Sequence, residues 1–226
     1  MRRSKLFLIL SSFLLVITLD AQVQLELKLG LDNSTAILDD VSDNIVPTIN
    51  KVANPTAGIA VSYQLDKFFS VGSGVSYHKK GFDLKEGTSY NLAGIDIPVG
   101  VEFRYRETSL SLPLYLQYTY PIDKFDVFIK TGASANVGLG GNYKTVANSI
   151  INITLSDTPI EYGQRIQKTV LNGEIAAGIA YEYNGGKILG EIGYARSFTN
   201  KIEDTTFDLN LKEKTISAQI GYAMIF

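Results

Sequence analysis

The final stretch of the chain, 215–226, constrains the fold most because its residues alternate in character. Even-numbered positions are apolar from Ile216 to the terminal Phe226, whereas odd-numbered positions from Thr215 to Ala223 are small or polar. A period of two is typical of a β-strand with one apolar face. A strand ending on an aromatic residue favours a barrel closed within a membrane, where every backbone polar group needs a partner. We therefore predict a transmembrane closing strand.

Seven further segments alternate in the same way, which brings the expected number of strands to eight. They are 22–31, 57–65, 69–77, 109–120, 125–139, 169–183 and 188–197. The connections are short at 66–67, 121–124 and 184–187, and long at 32–56, 79–106, 140–167 and 199–210. This pattern predicts an all-β fold, an eight-stranded antiparallel up-and-down transmembrane β-barrel with short periplasmic turns and long extracellular loops. Within 79–106 we expect a hairpin projecting past the membrane, and additional membrane strands at 95–106 are the alternative.

The two faces of the predicted strands differ in bulk, which decides their orientation. Gly, Ser, Ala and Thr dominate one face, and Leu, Ile, Val, Phe and Tyr dominate the other. Because the interior of an eight-stranded barrel is just wide enough for side chains, the bulky face should contact lipid. Tyrosines near strand ends on that face predict an aromatic girdle. They are Tyr63, Tyr77, Tyr118, Tyr120, Tyr181, Tyr183 and Tyr222.

Charged residues of the predicted strands fall on the lumen face. They are Glu26, Lys28, Asp126, Lys130, Glu174, Glu182 and Glu191. On the lipid face, an Arg or Lys at mid-bilayer would cost roughly 2–4 kcal/mol. We expect Lys130 to pair with Glu174 or Glu191 in a lumen charge cluster. The interior would then be polar and plugged rather than an open pore.

The N-terminus predicts export from the cytoplasm. Arg2, Arg3 and Lys5 precede an apolar run at 6–19, which is shorter than the roughly 20 residues of a spanning helix. We expect a signal peptide at 1–21, cleaved after Ala21, followed by one barrel domain at 22–226. The chain has no cysteine, so disulfides and thiolate metal sites are excluded. With 21 basic and 23 acidic residues, it does not favour nucleic-acid binding.

Candidate chemistry in the sequence is sparse. His78 is the only histidine, and Ser76 lies two residues away on the same face, as a nucleophile and its base would. Without an evident orienting carboxylate, we interpret His78 as a rim residue beside Lys79 and Lys80. The acidic segment 39–43 lacks the ligand spacing of a calcium loop. We therefore predict no catalytic, cofactor or metal site, and no enzymatic activity.

Three motifs carry a resemblance to a known family. They are SLSLPLYLQYTY before a short Pro turn, NGGKILGEIGYARSF, and the terminal IGYAMIF. Together with the signal peptide and eight alternating strands, they resemble the PorT-like outer-membrane β-barrel family, whose members are similar in shape to OmpA and OmpX. The ending also resembles the C-terminal insertion signal of bacterial outer-membrane barrels, here Ile220, Tyr222, Met224 and Phe226. The resemblance implies a bacterial outer-membrane location and supplies no catalytic residues.

The expected role is that of a non-enzymatic structural or surface-interaction protein. We expect a monomer that contacts outer-membrane lipid, the insertion machinery through its C-terminal strand, and a protein partner at its extracellular loops. One alternative is a transport or protein-secretion accessory barrel. A second is a lipid-modifying outer-membrane enzyme that uses Ser76 and His78.

Overall fold

The computed structural model describes residues 23–39, 48–92, 95–148, 152–163, 166–204 and 209–226. The expected signal peptide at 1–21 lies outside these residues. The strands are β1 (Val23–Asp39), β2 (Thr48–Gln64), β3 (Phe69–Leu92), β4 (Ile95–Ile122), β5 (Phe125–Asn148), β6 (Ile153–Pro159), β7 (Thr169–Tyr183), β8 (Gly186–Ser197), β9 (Ile202–Asp204) and β10 (Leu209–Ile225). None of the described residues belongs to a helix that is long and apolar enough to cross a membrane.

Eight of the strands form a closed antiparallel ring in the order β1-β2-β3-β4-β5-β7-β8-β10. The first and last strands pair with each other from Gln24↔Ile225 to Asp39↔Asn210, which closes the barrel. Since every strand of the ring has two neighbours, its membrane part has no open edge. The prediction of an eight-stranded up-and-down barrel is confirmed.

Three tight turns connect strands at one end of the barrel, which we call the turn end. After β2, the Asp66 carboxylate accepts hydrogen bonds from the backbone N–H groups of Phe68 and Phe69, both at 2.7 Å. The turn after β4 contains Asp123 at φ 55°, and the turn after β7 contains Asn184 and Gly185 at φ 48° and 77°. An Asn-Gly pair adopts such values readily, which fits a two-residue hairpin. The three short connections therefore lie where the sequence predicts them.

The opposite end, which we call the hairpin end, differs from the sequence prediction. Strands β1, β2 and β5 continue well into the segments predicted as loops at 32–56 and 140–167, and β10 begins at Leu209, inside the predicted loop 199–210. Segment 79–106 forms the paired hairpin of β3 and β4, as the sequence predicts. Segment 95–106 is the first part of β4 and adds no strand to the ring. The short strands β6 and β9, which pair with β5 and β10 respectively, were not predicted.

Several strands were predicted too short because charged residues and proline were taken as breaks in the strands. Beyond a bilayer, an outward strand face meets water and tolerates charge, so pairing continues while the composition changes. Pro55 is accommodated where the β2–β3 register shifts between Lys51 and Thr56. A second shift between Thr108 and Ser109 lets β4 and β5 continue past their membrane part. Such bulges are common at barrel rims.

Bulky apolar side chains point outward, as the difference in residue size predicts. Leu114 and Ile220 are 63% and 71% exposed on the outer wall, whereas Ser134 is 3% exposed within the lumen. Among the expected girdle tyrosines, Tyr77, Tyr118, Tyr120, Tyr181 and Tyr183 are exposed, and Tyr63 and Tyr222 are partly so. The outer wall is therefore an apolar band that begins at the turn end.

Candidate functional site

The lumen nearest the turn end is crossed by four charged side chains, Glu26, Lys28, Lys130 and Glu191, which we call the ionic partition. Lys130 Nζ lies 3.0 Å from a carboxylate oxygen of Glu26 and 2.9 Å from one of Glu191. Lys28 Nζ lies 3.5 Å from Glu191 and 3.9 Å from Glu26. All four belong to lumen-facing positions of β1, β5 and β8, which explains their convergence from distant parts of the chain.

Aromatic rings complete the surroundings of Lys130. Its ammonium lies 5.1 Å from the ring centroid of Tyr115 and 5.0 Å from that of Phe128. At this distance a ring face attracts a cation. Because the Lys130 side chain is only 6% exposed, two carboxylates and two rings replace its water. The ionic partition is therefore a compensated set of charges.

The predicted charge cluster named Lys130, Glu174 and Glu191, and the structure groups these residues differently. Lys130 and Glu191 form an ion pair, and Glu26 provides the second carboxylate. Glu174 also faces the lumen, but its carboxylate accepts a hydrogen bond from the Ser134 hydroxyl. Sequence alternation had placed Glu26 on the correct face. Alternation does not show which residues of distant strands lie at the same height in the barrel, so it could not identify the partner of Lys130.

Two cavities flank the ionic partition. One, of about 200 Å³, lies toward the turn end and is lined by Glu26 and Lys130 together with Asp126 and Lys187. The other, of about 100 Å³, lies toward the middle of the lumen and is lined by Lys130 together with His78. Lys130 lines both cavities. Removing its side chain would therefore take away part of the wall between them.

The middle cavity contains the only histidine of the chain. His78 Nδ1 is hydrogen-bonded to the buried carboxylate of Asp32 and lies 3.1 Å from the Thr56 hydroxyl. His78 is thus a lumen residue with an orienting carboxylate, which corrects its interpretation as a rim residue. Ser76 lines the same cavity, but among the described residues His78 is hydrogen-bonded to Asp32 and Thr56 and not to Ser76. A candidate nucleophile, Ser76, and an oriented histidine, His78, are therefore present without the hydrogen bond between them that would activate the serine.

A second group of buried charges lies nearer the hairpin end. Lys201 Nζ contacts the Glu107 carboxylate at 2.6 Å, and the Tyr162 hydroxyl donates to the same carboxylate at 2.8 Å. Burial and then the nearby Glu213 carboxylate raise the pKa of Glu107, while Lys201 and Tyr162 act in the opposite direction. Lys80 in turn lies 3.5 Å from Glu213. These contacts hold the segment after β6 against the barrel wall.

An apolar cluster fills the lumen above these charges. Its buried members are Ala36, Phe82, Tyr105, Ile160 and Leu211. The rings of Phe82 and Tyr105 stack with centroids 5.1 Å apart. Ile160 comes from the segment after β6, so this segment contributes to the plug. The lumen is therefore obstructed by charge near the turn end and by apolar side chains near the hairpin end.

The proposed C-terminal insertion signal lies on the outer wall of β10. Ile220 and Phe226 are strongly exposed, and Tyr222 and Met224 are partly exposed. The backbone N–H of Phe226 donates to the Val23 carbonyl at 2.9 Å, whereas its ring is 73% exposed. The ring thus contributes little to the folded barrel beyond its contact with lipid.

The described residues contain no group of three or more His, Asp or Glu side chains suited to a metal ion. The acidic positions 40 and 43 considered from the sequence lie outside those residues.

Comparison with known proteins completes the assignment. The sequence matches the family described as outer membrane protein beta-barrel domain over residues 19–203. No curated protein matches it significantly. Similar solved structures include OprG from Pseudomonas aeruginosa, with 12% identity, coverage of 91% of this chain and 95% of that chain, and a TM-score of 0.47.

Two further solved structures are similar in fold. Ail from Yersinia pestis, in complex with the heparin analogue sucrose octasulfate, has 12% identity, coverage of 89% of this chain and 99% of that chain, and a TM-score of 0.37. The outer membrane protease OmpT from Escherichia coli has 14% identity, coverage of 92% and 99%, and a TM-score of 0.39. The family match spans most of the chain and agrees with the closed ring. The protein belongs to the outer membrane protein beta-barrel domain family and is a β-barrel of the bacterial outer membrane.

Proposed function

We propose that this barrel is a closed, non-enzymatic protein with a structural or surface-interaction role at its hairpin end. The observation that carries the proposal is the obstructed lumen. Lys130 is enclosed by Glu26 and Glu191, and Phe82 and Tyr105 lie in the apolar cluster above. A lumen so filled supports an anchor better than a channel.

The hairpin end offers a surface for contact with a partner. Strand β6 pairs with β5 alone, so its other edge is unpaired within the described sheet. Its residues Ile153 and Leu155 are 59% and 60% exposed. Exposed apolar residues on an unpaired strand are typical of surfaces that bind another chain. We propose that this hairpin end faces outward from the cell and holds the protein partner.

Conductance in a planar bilayer tests the closed lumen. The wild-type protein, shown to be inserted by its heat-dependent gel mobility, should add no discrete current steps. Stable current steps from the wild type would overturn the closed barrel and favour a transport role. For the surface role, the I153S/L155S variant should lose a protein that wild-type barrels retain. A T131S variant on the membrane wall serves as the matched control, and equal retention by all three would count against β6.

One observation supports the enzyme alternative, namely the hydrogen bond between the Asp32 carboxylate and His78 Nδ1. A carboxylate on this nitrogen would orient the ring for general-base work. Replacing His78 with Ala and comparing the envelope lipids by mass spectrometry tests this alternative. Unchanged lipids support the non-enzymatic role, and loss of one modified lipid would establish the enzyme.

The role of a secretion accessory rests on the PorT-like resemblance of the sequence. Deleting the gene and comparing secreted proteins tests it, with a specific secretion defect as the supporting outcome. We further propose that the barrel is a monomer that contacts outer-membrane lipid and does not bind nucleic acid. Its insertion would depend on recognition of the C-terminal strand by the insertion machinery.

A further inference from the structure

The outer wall carries two directly opposed cations just beyond its apolar band. Arg196 on β8 pairs in register with Lys214 on β10. The next pair on the same face toward the turn end is Tyr194 with Ile216, and both side chains are exposed on the outer wall. Arg196 is exposed and Lys214 partly exposed at the same parity. The two cations therefore lie at the level where apolar wall ends and polar surroundings begin.

Like charges at directly opposed positions of a sheet repel each other. The neighbouring strands provide no compensation, since Gly173 on β7 pairs with Arg196 and Thr35 on β1 pairs with Lys214. Within the part of the chain that the structure describes, neither Arg196 nor Lys214 has an ion-pair partner. The repulsion would be relieved by an anion from outside the protein.

Other cations near the hairpin end have a carboxylate partner within the protein. Arg106 lies 2.6 Å from Asp83, and Lys144 lies 2.8 Å from Asp157. The hydrogen bond from Lys144 lowers the pKa of the exposed Asp157 carboxyl. The absence of such a partner therefore distinguishes the Arg196–Lys214 pair from these cations.

Apolar groups surround the two cations. The Phe198 side chain is 68% exposed, and its ring lies over Gly173, where an added Cβ would come within 2.4 Å of it. Tyr194 and Ile216 continue the apolar surface below the cations. Cations beside exposed rings at the border of an apolar band match the headgroup level of a membrane. A ligand for this surface should therefore carry both an anionic group and hydrocarbon chains.

We propose that Arg196 and Lys214 form a binding site for the phosphate of an anionic membrane lipid in the leaflet at the hairpin end. Lys and Arg bind phosphate through charge-assisted hydrogen bonds, and Arg presents a planar fork of donors. The acyl chains of the bound lipid lie along Tyr194 and Ile216. This site is independent of the role proposed for β6, because it lies on the membrane wall.

The test measures binding of phosphatidic acid, whose phosphate monoester and two acyl chains represent the ligand. Full-length barrel is folded in phosphatidylcholine with or without phosphatidic acid, and a third sample receives inorganic phosphate. Melting is followed by gel mobility, and bound lipid is counted by native mass spectrometry. The variant R196Q/K214Q removes both charges. The control K67Q/K124Q removes two exposed charges at the turn end.

Phosphatidic acid should raise the melting temperature of the wild type and of the control. The R196Q/K214Q variant should lose most of this rise, with an affinity reduced about 10- to 30-fold for two lost phosphate contacts. In phosphatidylcholine alone, the same variant should be at least as stable as the wild type because the repulsion is removed. The swap R196K/K214R keeps both charges and should retain binding.

Equal binding of phosphatidic acid by wild type and R196Q/K214Q would overturn the proposal. An equal effect of inorganic phosphate would overturn the assignment to a lipid, since it would indicate a free-anion site. If the double variant does not fold, the single variant K214Q replaces it. An unchanged affinity in that variant would then count against the site.

Discussion

The ionic partition makes Lys130 the most informative position for a stability measurement. In K130M, the Glu26 and Glu191 carboxylates remain in the lumen without the cation that lies 3.0 and 2.9 Å from them. Only Lys28 remains, at 3.9 and 3.5 Å. Each lost attraction is worth about 5 kcal/mol at an effective dielectric constant near 20. Part of this loss is offset because K130M no longer pays the cost of removing water from the Lys130 ammonium. Breaking a buried pair in this way typically costs about 3–5 kcal/mol.

The free energy of unfolding would be measured by urea titration of barrels folded in detergent. The chain lacks tryptophan, so the folded fraction is followed by gel mobility. The control K144M removes an exposed cation from its pair with Asp157, for which we expect a change of about 0–1 kcal/mol. The compensated variant E26Q/K130M should recover most of the loss, because it leaves one carboxylate, Glu191, paired with one cation, Lys28. A K130M protein within about 1 kcal/mol of wild type, or a double variant E26Q/K130M no more stable than K130M, would refute the reasoning.

Three further predictions concern other parts of the barrel. Because the pKa of Glu107 is raised by burial, its contribution to stability is present at low pH and is lost as pH rises through the folded-state pKa, so the stability of wild type relative to E107Q should fall as pH rises above the usual range of a glutamate carboxyl; a difference that grows with pH would contradict this. F226A should change the free energy of unfolding by less than about 1 kcal/mol but slow assisted insertion, since the ring is mostly exposed; equal insertion rates would contradict the signal. A fluorophore at L114C should be quenched by brominated lipid and one at S134C should not, and the reverse result would contradict the orientation.

The membrane part of the fold followed from the sequence because one physical constraint governs it. Lipid requires apolar side chains at every second position and closed backbone pairing, so period-two alternation counted the strands of the ring and chose their outward face. The Asn184-Gly185 turn could also be predicted from its own two residues, because they favour positive φ. Beyond the bilayer this constraint is absent. The sequence still predicted the β3–β4 hairpin, but the extensions of β1, β2 and β5 look like loops in the sequence. The pairing of these extensions depends on contacts between strands, which the local sequence pattern does not show.

For the candidate site, the sequence predicted which strand face each charged residue occupies, but not which residues contact each other. Alternation placed Glu26, Lys130, Glu174 and Glu191 in one lumen, yet their heights along the axis depend on the stagger of strands that are not sequence neighbours. His78 shows the same limit, because its carboxylate partner lies 46 residues away on β1. The residues near His78 in the sequence therefore do not reveal that carboxylate.

The length of the β3–β4 hairpin has a consequence for what can reach this protein from outside the cell. Strand β4 has 28 residues, whereas a tilted strand needs only about 9–11 to cross the hydrocarbon layer. At about 3.3 Å per residue, the remaining paired strand is about 60 Å long. With the hairpin end facing outward, as proposed above, such a hairpin extends beyond the neighbouring lipid headgroups. Antibodies or phage that cannot approach the lipid surface would still find backbone and side chains to recognise there.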